Sequence, residues 1–424
     1  MIQELGRTIM DERQQELAKL IGKRVRTLRG KRGLTVRALG GLAGVSNGYL
    51  SMVESGQRLL KDQAYINAIA DALKVAPSEL LGQPFLPVDP HATEAHAAIP
   101  ELRLTLMGMT VGSPPDRRPP EEPVTRLAAR VRRANRLYHA AEYGALAVRL
   151  PSLLADLQAA AAASEGRTRL RVLRLLADAY HPACTLMLKS LGYTDLAFIA
   201  VTRASEAIAE LEDPVYTALS GFFATHILMA AGSPQQALSQ ATATVNLLEQ
   251  HLALPHAEAL LGELHLISAT SITKDPTRPA HDRTSDVRSH LAEAARLAGR
   301  TMETRAFHLN FGPTNVKIHR VSLNADLGHH GDAVTAGTDV HPEIIKAPGR
   351  QAAYHSDLGR ALVHVRGQES TAAERFLRAE LIAPQRVHAN ALIGDSVSYL
   401  LGKRLPAHVQ RDLSGLAHRM GISR

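Results

Sequence analysis

The stretch "AGVSNGYLSMVESG", residues 43–56, decides how the chain is read. Gly44 is a residue that tolerates positive φ, which suits a tight turn. Ser46 stands at an N-cap position, where its hydroxyl can accept from a free N–H of the first helical turn. Leu50 and Val53 share one helical face, and Gly56 stops the helix. The spacing predicts a helix over 47–55. Upstream, Thr35 caps a second predicted helix over 36–43. Two helices crossing steeply need a small residue at the contact, and Gly40 supplies it. Leu39, Leu42, Val45, Leu50 and Val53 are the expected core. Asn47, Gly48, Ser51 and Met52 are left facing outward.

Working outward, residues 16–29 form a further predicted helix, with Leu17, Leu20, Ile21, Val25 and Leu28 as its apolar stripe. Gly33 ends it. Segments 64–73 and 78–81 complete a five-helix set within a first domain of residues 1–82. The whole chain carries a net charge of +8. Ten basic residues fall between Glu16 and Lys61, against the two acids Glu16 and Glu54. The excess is therefore local, and the rest of the chain is close to neutral. Such a patch is either the footprint of a nucleic-acid-binding module or a solvated surface.

The length of 424 residues allows two or three domains. Apolar residues make up 45% and aromatics 4%, with no Trp, and abundant Ala and Leu favour helix over sheet. The single cysteine, Cys184, excludes an intrachain disulfide and any multi-cysteine metal site, which suits a reducing cytosol. No apolar run is expected to reach the ~20 residues of a membrane span. No apolar secretion core is visible near the N-terminus. The expectation is a cytoplasmic, nucleoid-associated protein with no membrane partner.

The stretch "GLTVRALGGLAGVSNGYLSMVESGQR", residues 33–58, resembles the Cro/C1-type (Xre) helix-turn-helix of transcription regulators. The resemblance rests on the Gly-Val-Ser turn, on Glu54 near the helix end and on Gly56 after it. It implies a lambda-repressor-like domain whose second helix enters the major groove of double-stranded DNA. Ser46 and Asn47 open that recognition helix. The resemblance implies base contacts by Asn47, Ser51 and Met52. It implies backbone contacts by Thr35, Arg37, Ser46 and Tyr49, with Arg26, Lys31, Arg58 and Lys61 against phosphates. Gly40, Gly44, Val45, Leu50 and Val53 are structural, and Arg29 is expected to form a salt bridge with Glu54. Gly48 has no side chain to read a base, and Met52 offers only apolar contact. Val36 stands where the family commonly has Gln. Affinity should then lean on phosphates and fall steeply with salt. Family members commonly bind a palindromic operator as homodimers.

Past this domain, "GQPFLPVDPH" (82–91) and "GSPPDRRPPEEP" (112–123) are too rich in Pro for regular structure throughout. Residues 83–123 read as a linker with a short helix near 99–109. From 124 to 424 apolar helices alternate with small-residue turns, at "LGYTDLA" (191–197), "AGSPQQAL" (231–238), "HHGDAV" (329–334) and "RGQESTAA" (366–373). Gly192 to Gly232 is 40 residues and Gly331 to Gly367 is 36. A polar insertion lies at 273–286. The spacing fits two-helix repeats of the tetratricopeptide type, or a non-repetitive helical bundle. An array leaves a concave face open to an effector. The layout is similar to actinobacterial regulators and, distantly, to peptide-sensing quorum regulators. The fold class expected is all-α: a helix-turn-helix domain plus a tetratricopeptide-like α-solenoid.

In "RAFHLNFGPTNVKIHRVSLNADLG" (305–328) Gly312-Pro313 breaks one helix and opens another. Asn315, His319, Ser322 and Asp326 then share a polar face. That face either lines a groove or meets solvent. Asn310, His226, Tyr354 and Arg360 are further groove candidates. The effector could be a peptide, a small molecule or a protein; in the last case the repeats would be a DNA-anchored scaffold. The twenty His show no metal-ligand spacing. No phosphate loop, dinucleotide fingerprint or nucleophile elbow is present, so neither an enzyme nor a cofactor is expected.

Overall fold

A computed structural model describes residues 15, 18–30, 32–60, 63–73, 75, 80, 90–108, 118–275, 277–420 and 422. The protein is all-α. Among the described residues there is no strand, and the one β-bridge joins Thr304 to Phe311. The chain divides into two units, Met1–Val88 and Asp89–Arg424.

The first unit has helices over 18–30, Val36–Ala43, Asn47–Glu54 and Gln63–Leu73. Thr35 Oγ1 accepts from Ala38 N at 3.1 Å and Ser46 Oγ from Tyr49 N at 3.2 Å, so each helix starts on a side-chain cap. Between them Gly44 takes φ 64°, the left-handed turn the sequence requires. The core is Ile21, Val25, Leu39, Ala43, Val45, Leu50, Val53, Leu60, Ile66, Ile69, Ala70, Leu73 and Leu80. Two expected core residues are outside it: Leu42 is 65% exposed and Leu20 is 51% exposed. The buried stripe of the second helix runs through Leu39, Gly40 and Ala43, which leaves Leu42 on the flank. In the first helix Ala18, Ile21, Gly22 and Val25 face inward, so Leu20 turns away. Of the fifth helix expected at 78–81, Leu80 is helical and buried; its neighbours, like Lys31 and Lys61, lie outside the described residues.

In the second unit most helices pack on the next one along the chain. Prolines open many of them, as at Pro214, Pro234, Pro313 and Pro348, where the absent N–H costs no hydrogen bond. The Pro90–Gly108 helix lies within the stretch read as linker. It buries Ala95, Ile99, Leu102 and Leu106 in the core of this unit. The turn expected at Gly331 is made instead by Gly328, at φ 80°; Gly331 sits inside the His330–Gly337 helix. The insertion at 273–286 is mostly helix too, because Ala280–Thr301 begins soon after Ala257–Thr273 ends. Gly312-Pro313 does not follow a helix. It follows an irregular strap that includes a single 3-10 turn at Ala306–His308 and the Thr304–Phe311 bridge.

Alternate helices form an inner layer. Val124–Ala140 packs on the 179–184 turn that continues into Thr185–Ser190. The layer continues through Pro214–Ala230, Ala257–Thr273, Pro313–Asp326 and Pro348–Leu362. Pro348–Leu362 then packs back on Val124–Ala140. Gln385 Oε1 also accepts from Tyr143 N at 2.7 Å. The inner layer is therefore a closed ring rather than an open concave face. The stretch Tyr143–Ala162 is apolar and long enough to cross a membrane, contrary to the sequence expectation. It comprises two consecutive helices, and 61% of it is buried in this core.

Candidate nucleic-acid interface and polar ring interior

The recognition helix is fixed from below. Leu50 and Val53 are buried on its inner side, and Asn47, Gly48, Ser51 and Met52 are exposed on its outer side. Arg29 Nε donates to Glu54 Oε1 at 2.6 Å and Nη2 to Oε2 at 2.8 Å, the expected bidentate pair. Arg29 Nη1 also donates to Leu34 O at 2.8 Å, tying the first helix to the following turn. The Glu54 carboxylate raises the guanidinium pKa through this hydrogen bond.

Gly40 has a specific neighbour. A Cβ there would lie 2.7 Å from Asn47 Oδ1 and 2.9 Å from Val45 O, so the Asn47 amide rests over the second helix. The first helix also crosses the recognition helix at a glycine, because a Cβ on Gly22 would run into Val53 O. Gly22 is not among the residues singled out from the sequence; its signal there is a glycine within an otherwise helical apolar stripe. Tyr49 is half-buried, its ring centroid 5.0 Å from that of Tyr65 and 4.9 Å from the Arg58 guanidinium carbon. Arg58 is thus held over an aromatic face. Arg26, Arg37, Ser46 and Thr35 are exposed. Each capped N-terminus keeps further N–H groups toward solvent, where a phosphate can be received.

The ring interior gathers three of the groove candidates, Asn315, His319 and His226, and several residues the sequence did not single out. Asn315 is buried; its Nδ2 donates to Glu263 Oε1 at 3.0 Å, and its Oδ1 accepts from Arg350 Nε at 2.6 Å. His319 and His226 lie nearby, and burial, then the nearby cations, hold both well below the usual imidazole range. Lys189 Nζ is 3.5 Å from His226 Nδ1, and burial together with Arg386 brings it down to about 8. Burial pushes Glu263 up to about 7 against the pull of Arg350.

Other candidates are placed elsewhere. Tyr354 is a core residue whose hydroxyl donates to Gly337 O at 2.8 Å. Ser322 Oγ is turned onto its own helix, donating to His319 O at 3.1 Å. Arg360 bridges Asp326 at 2.8 Å and Asp357 at 3.1 Å, and Lys274 reaches Asp326 at 2.9 Å. Asn310 is half-buried in the strap. There, Met302, Phe307 and His308 all have positive φ. The strap is held by His139 Nε2 on His308 O at 2.8 Å and by Phe307 against Tyr216 and His256. Glu263 and Lys189 had a readable signal, being lone charges within the apolar runs "ALLGELHL" and "CTLMLKS". Among the described residues no group of three or more His, Cys, Asp or Glu side chains converges as a metal site.

The arrangement at the N-terminus defines a helix-turn-helix domain, the fold of DNA-binding transcription regulators. A family model described as "Helix-turn-helix domain" matches residues 20–81. No curated protein matches the chain. Among solved structures, the chain is similar to PlcR from Bacillus thuringiensis, crystallised with the peptide PapR7 and DNA. The identity is 12% and the TM-score 0.29, over 67% of this chain and 95% of that one. It is also similar to the apo form of the competence regulator ComR from Streptococcus vestibularis. There the identity is 10% and the TM-score 0.18, over 96% of this chain and 100% of that one.

Proposed function

We propose that the protein is a DNA-binding transcription regulator, not an enzyme, in which the helical-repeat unit senses an effector. The observation that carries this reading is the recognition helix itself. Its inner face is locked by Leu50, Val53 and the Arg29–Glu54 pair, while Asn47, Ser51 and Met52 are presented on its outer face. Asn47 reads an adenine edge, with Ser51 as a second polar contact and Met52 against a thymine methyl. Thr35, Ser46, Tyr49, Arg26, Arg37 and Arg58 engage the backbone, with Lys31 and Lys61. So sparse a reader gains specificity by pairing. The working form is a homodimer on a palindromic operator, with half-sites about one helical turn apart. The effector acts by binding one arrangement of the dimer better than another. Selection of duplexes from a random pool by the full chain tests the reading. A recurrent inverted repeat is expected; a pool that stays random overturns it.

A further inference from the structure

The ring interior carries more positive charge than its carboxylates neutralise. Lys189, Arg350 and Arg386 come from three different helices, and the Arg386 charge, beside the Tyr138 and Tyr143 hydroxyls, acts on both of the others. The acids nearby are already engaged. Asp326 is shared by Arg360 and Lys274, and Asp357 by Arg360. Glu263 is bound to Asn315. None of the three cations is in an ion pair among the described residues. Arg350 Nη2 is buried without a hydrogen-bond partner, and so is His319 Nδ1. A buried cation with an unmet donor is costly unless something negative completes it.

The placement of the two arginines repeats. "Ala-Pro-Gly-Arg" at 347–350 and "Ala-Pro-Gln-Arg" at 383–386 are 36 residues apart. In each, the Ala is buried, the Pro opens a helix and the Arg falls in the first turn. A cation in the first turn opposes the helix dipole, so helix stability does not account for Arg350; the five-residue helix of Arg386 places that residue in its last turn as well. What the repeat does is deliver two guanidinium groups to the same interior. Lys189, His226, His319, Arg350 and Arg386 are each half-buried as whole residues, while Arg350 Nη2 and His319 Nδ1 are fully enclosed.

We propose that Lys189, Arg350 and Arg386, with His226 and His319 beside them, form a receptor for a doubly charged oxyanion group, a phosphate monoester or a dicarboxylate. Counted with Arg360 and Lys274, five cations stand against the three carboxylates Glu263, Asp326 and Asp357, and an excess of two matches a dianion better than a single charge. Arg350 Nη2 is the free arm of its fork, and His319 Nδ1, as the N–H of the neutral ring, donates beside it. This rests on the reading of the second unit as an effector sensor, and it names the chemistry of the effector.

The test uses the full chain and two probes, inorganic phosphate and malonate, against sodium chloride at matched ionic strength. Binding is followed by calorimetry and by the rise in Tm. Saturable binding of one dianion is expected, and which one saturates tells phosphate from dicarboxylate. Arg350→Gln and Lys189→Met are each expected to weaken it ten-fold or more, while Arg300→Gln, at an exposed pair with Glu258, leaves it unchanged. Far-UV circular dichroism and gel filtration check each variant's fold, and Lys189→Met decides if Arg350→Gln does not fold. The proposal is overturned if neither dianion saturates, or if a folded variant binds as the parent does. Duplex selection by the unliganded chain is read separately, so failure here leaves the DNA-binding reading standing, and the reverse holds.

Discussion

At the scale of single residues, the Arg29–Glu54 pair shows how much a spacing alone can convey. The two residues are 25 positions apart in sequence, yet the helix-turn-helix pattern predicts their contact, and the bidentate geometry is present. The pair is well shielded, the two side chains being 16% and 7% exposed. Glu54→Gln should therefore cost about 2 kcal/mol, the range of hydrogen bonds to charged groups. Thermal unfolding of the full chain measures it; an unchanged first transition would remove the pair from the domain's stability. Asn47 was legible as an outward residue, but its rest position over Gly40 was not. A side chain's rotamer depends on a neighbour in another helix, and periodicity carries no such information. The same limit hid Arg350 and Arg386. Each reads as a surface arginine until ring closure places both in one interior.

At the scale of elements, helix positions were legible because caps and stops are local chemistry. Thr35, Ser46 and Gly44 set their boundaries through bonds to residues three or four positions away. Which flank of a short helix is buried is decided by what packs on it, and here Leu20 and Leu42 turned outward. Gly328 and Gly331 show the same thing in the second unit, where two candidate turn glycines lie three apart and the helix geometry selects the first. The first helix meets the recognition helix through Gly22, with no room for a methyl group. Gly22→Ala is accordingly expected to destabilise the first unit by about 2 kcal/mol, as overpacking does. Its measurable sign is a lower Tm of that unit with the helix content of the second unaltered. No shift in Tm would place the crossing elsewhere.

At the scale of the whole molecule, the tetratricopeptide-like spacing foretold helical hairpins but not that their inner layer closes. Closure depends on Pro348–Leu362 meeting Val124–Ala140, a contact between ends of the unit that no repeat period encodes. Packing of the second unit buries several of its histidines. Burial brings His139, His265 and His355 down to about 4 and His181 to about 3. Their folded pKa values lie below the unfolded value near 6.5, so they stabilise the fold above that pH, and the contribution is lost as pH falls toward 4. Glu263 and Asp178, both raised to about 7 by burial, act oppositely, their contribution being present at low pH and lost as pH rises through 7. The histidines outnumber them. Tm of the second unit should fall between pH 6.5 and 4.5, and a Tm that rises over that window would contradict the assignment. The central claim is that the N-terminal unit reads DNA. It is tested most directly by duplex selection with the full chain beside an Asn47→Ala/Ser51→Ala variant of equal fold. The expected result is an inverted repeat enriched by the parent and lost or relaxed in the variant. Enrichment of no sequence by the parent, or of the same sequence by both, would contradict it.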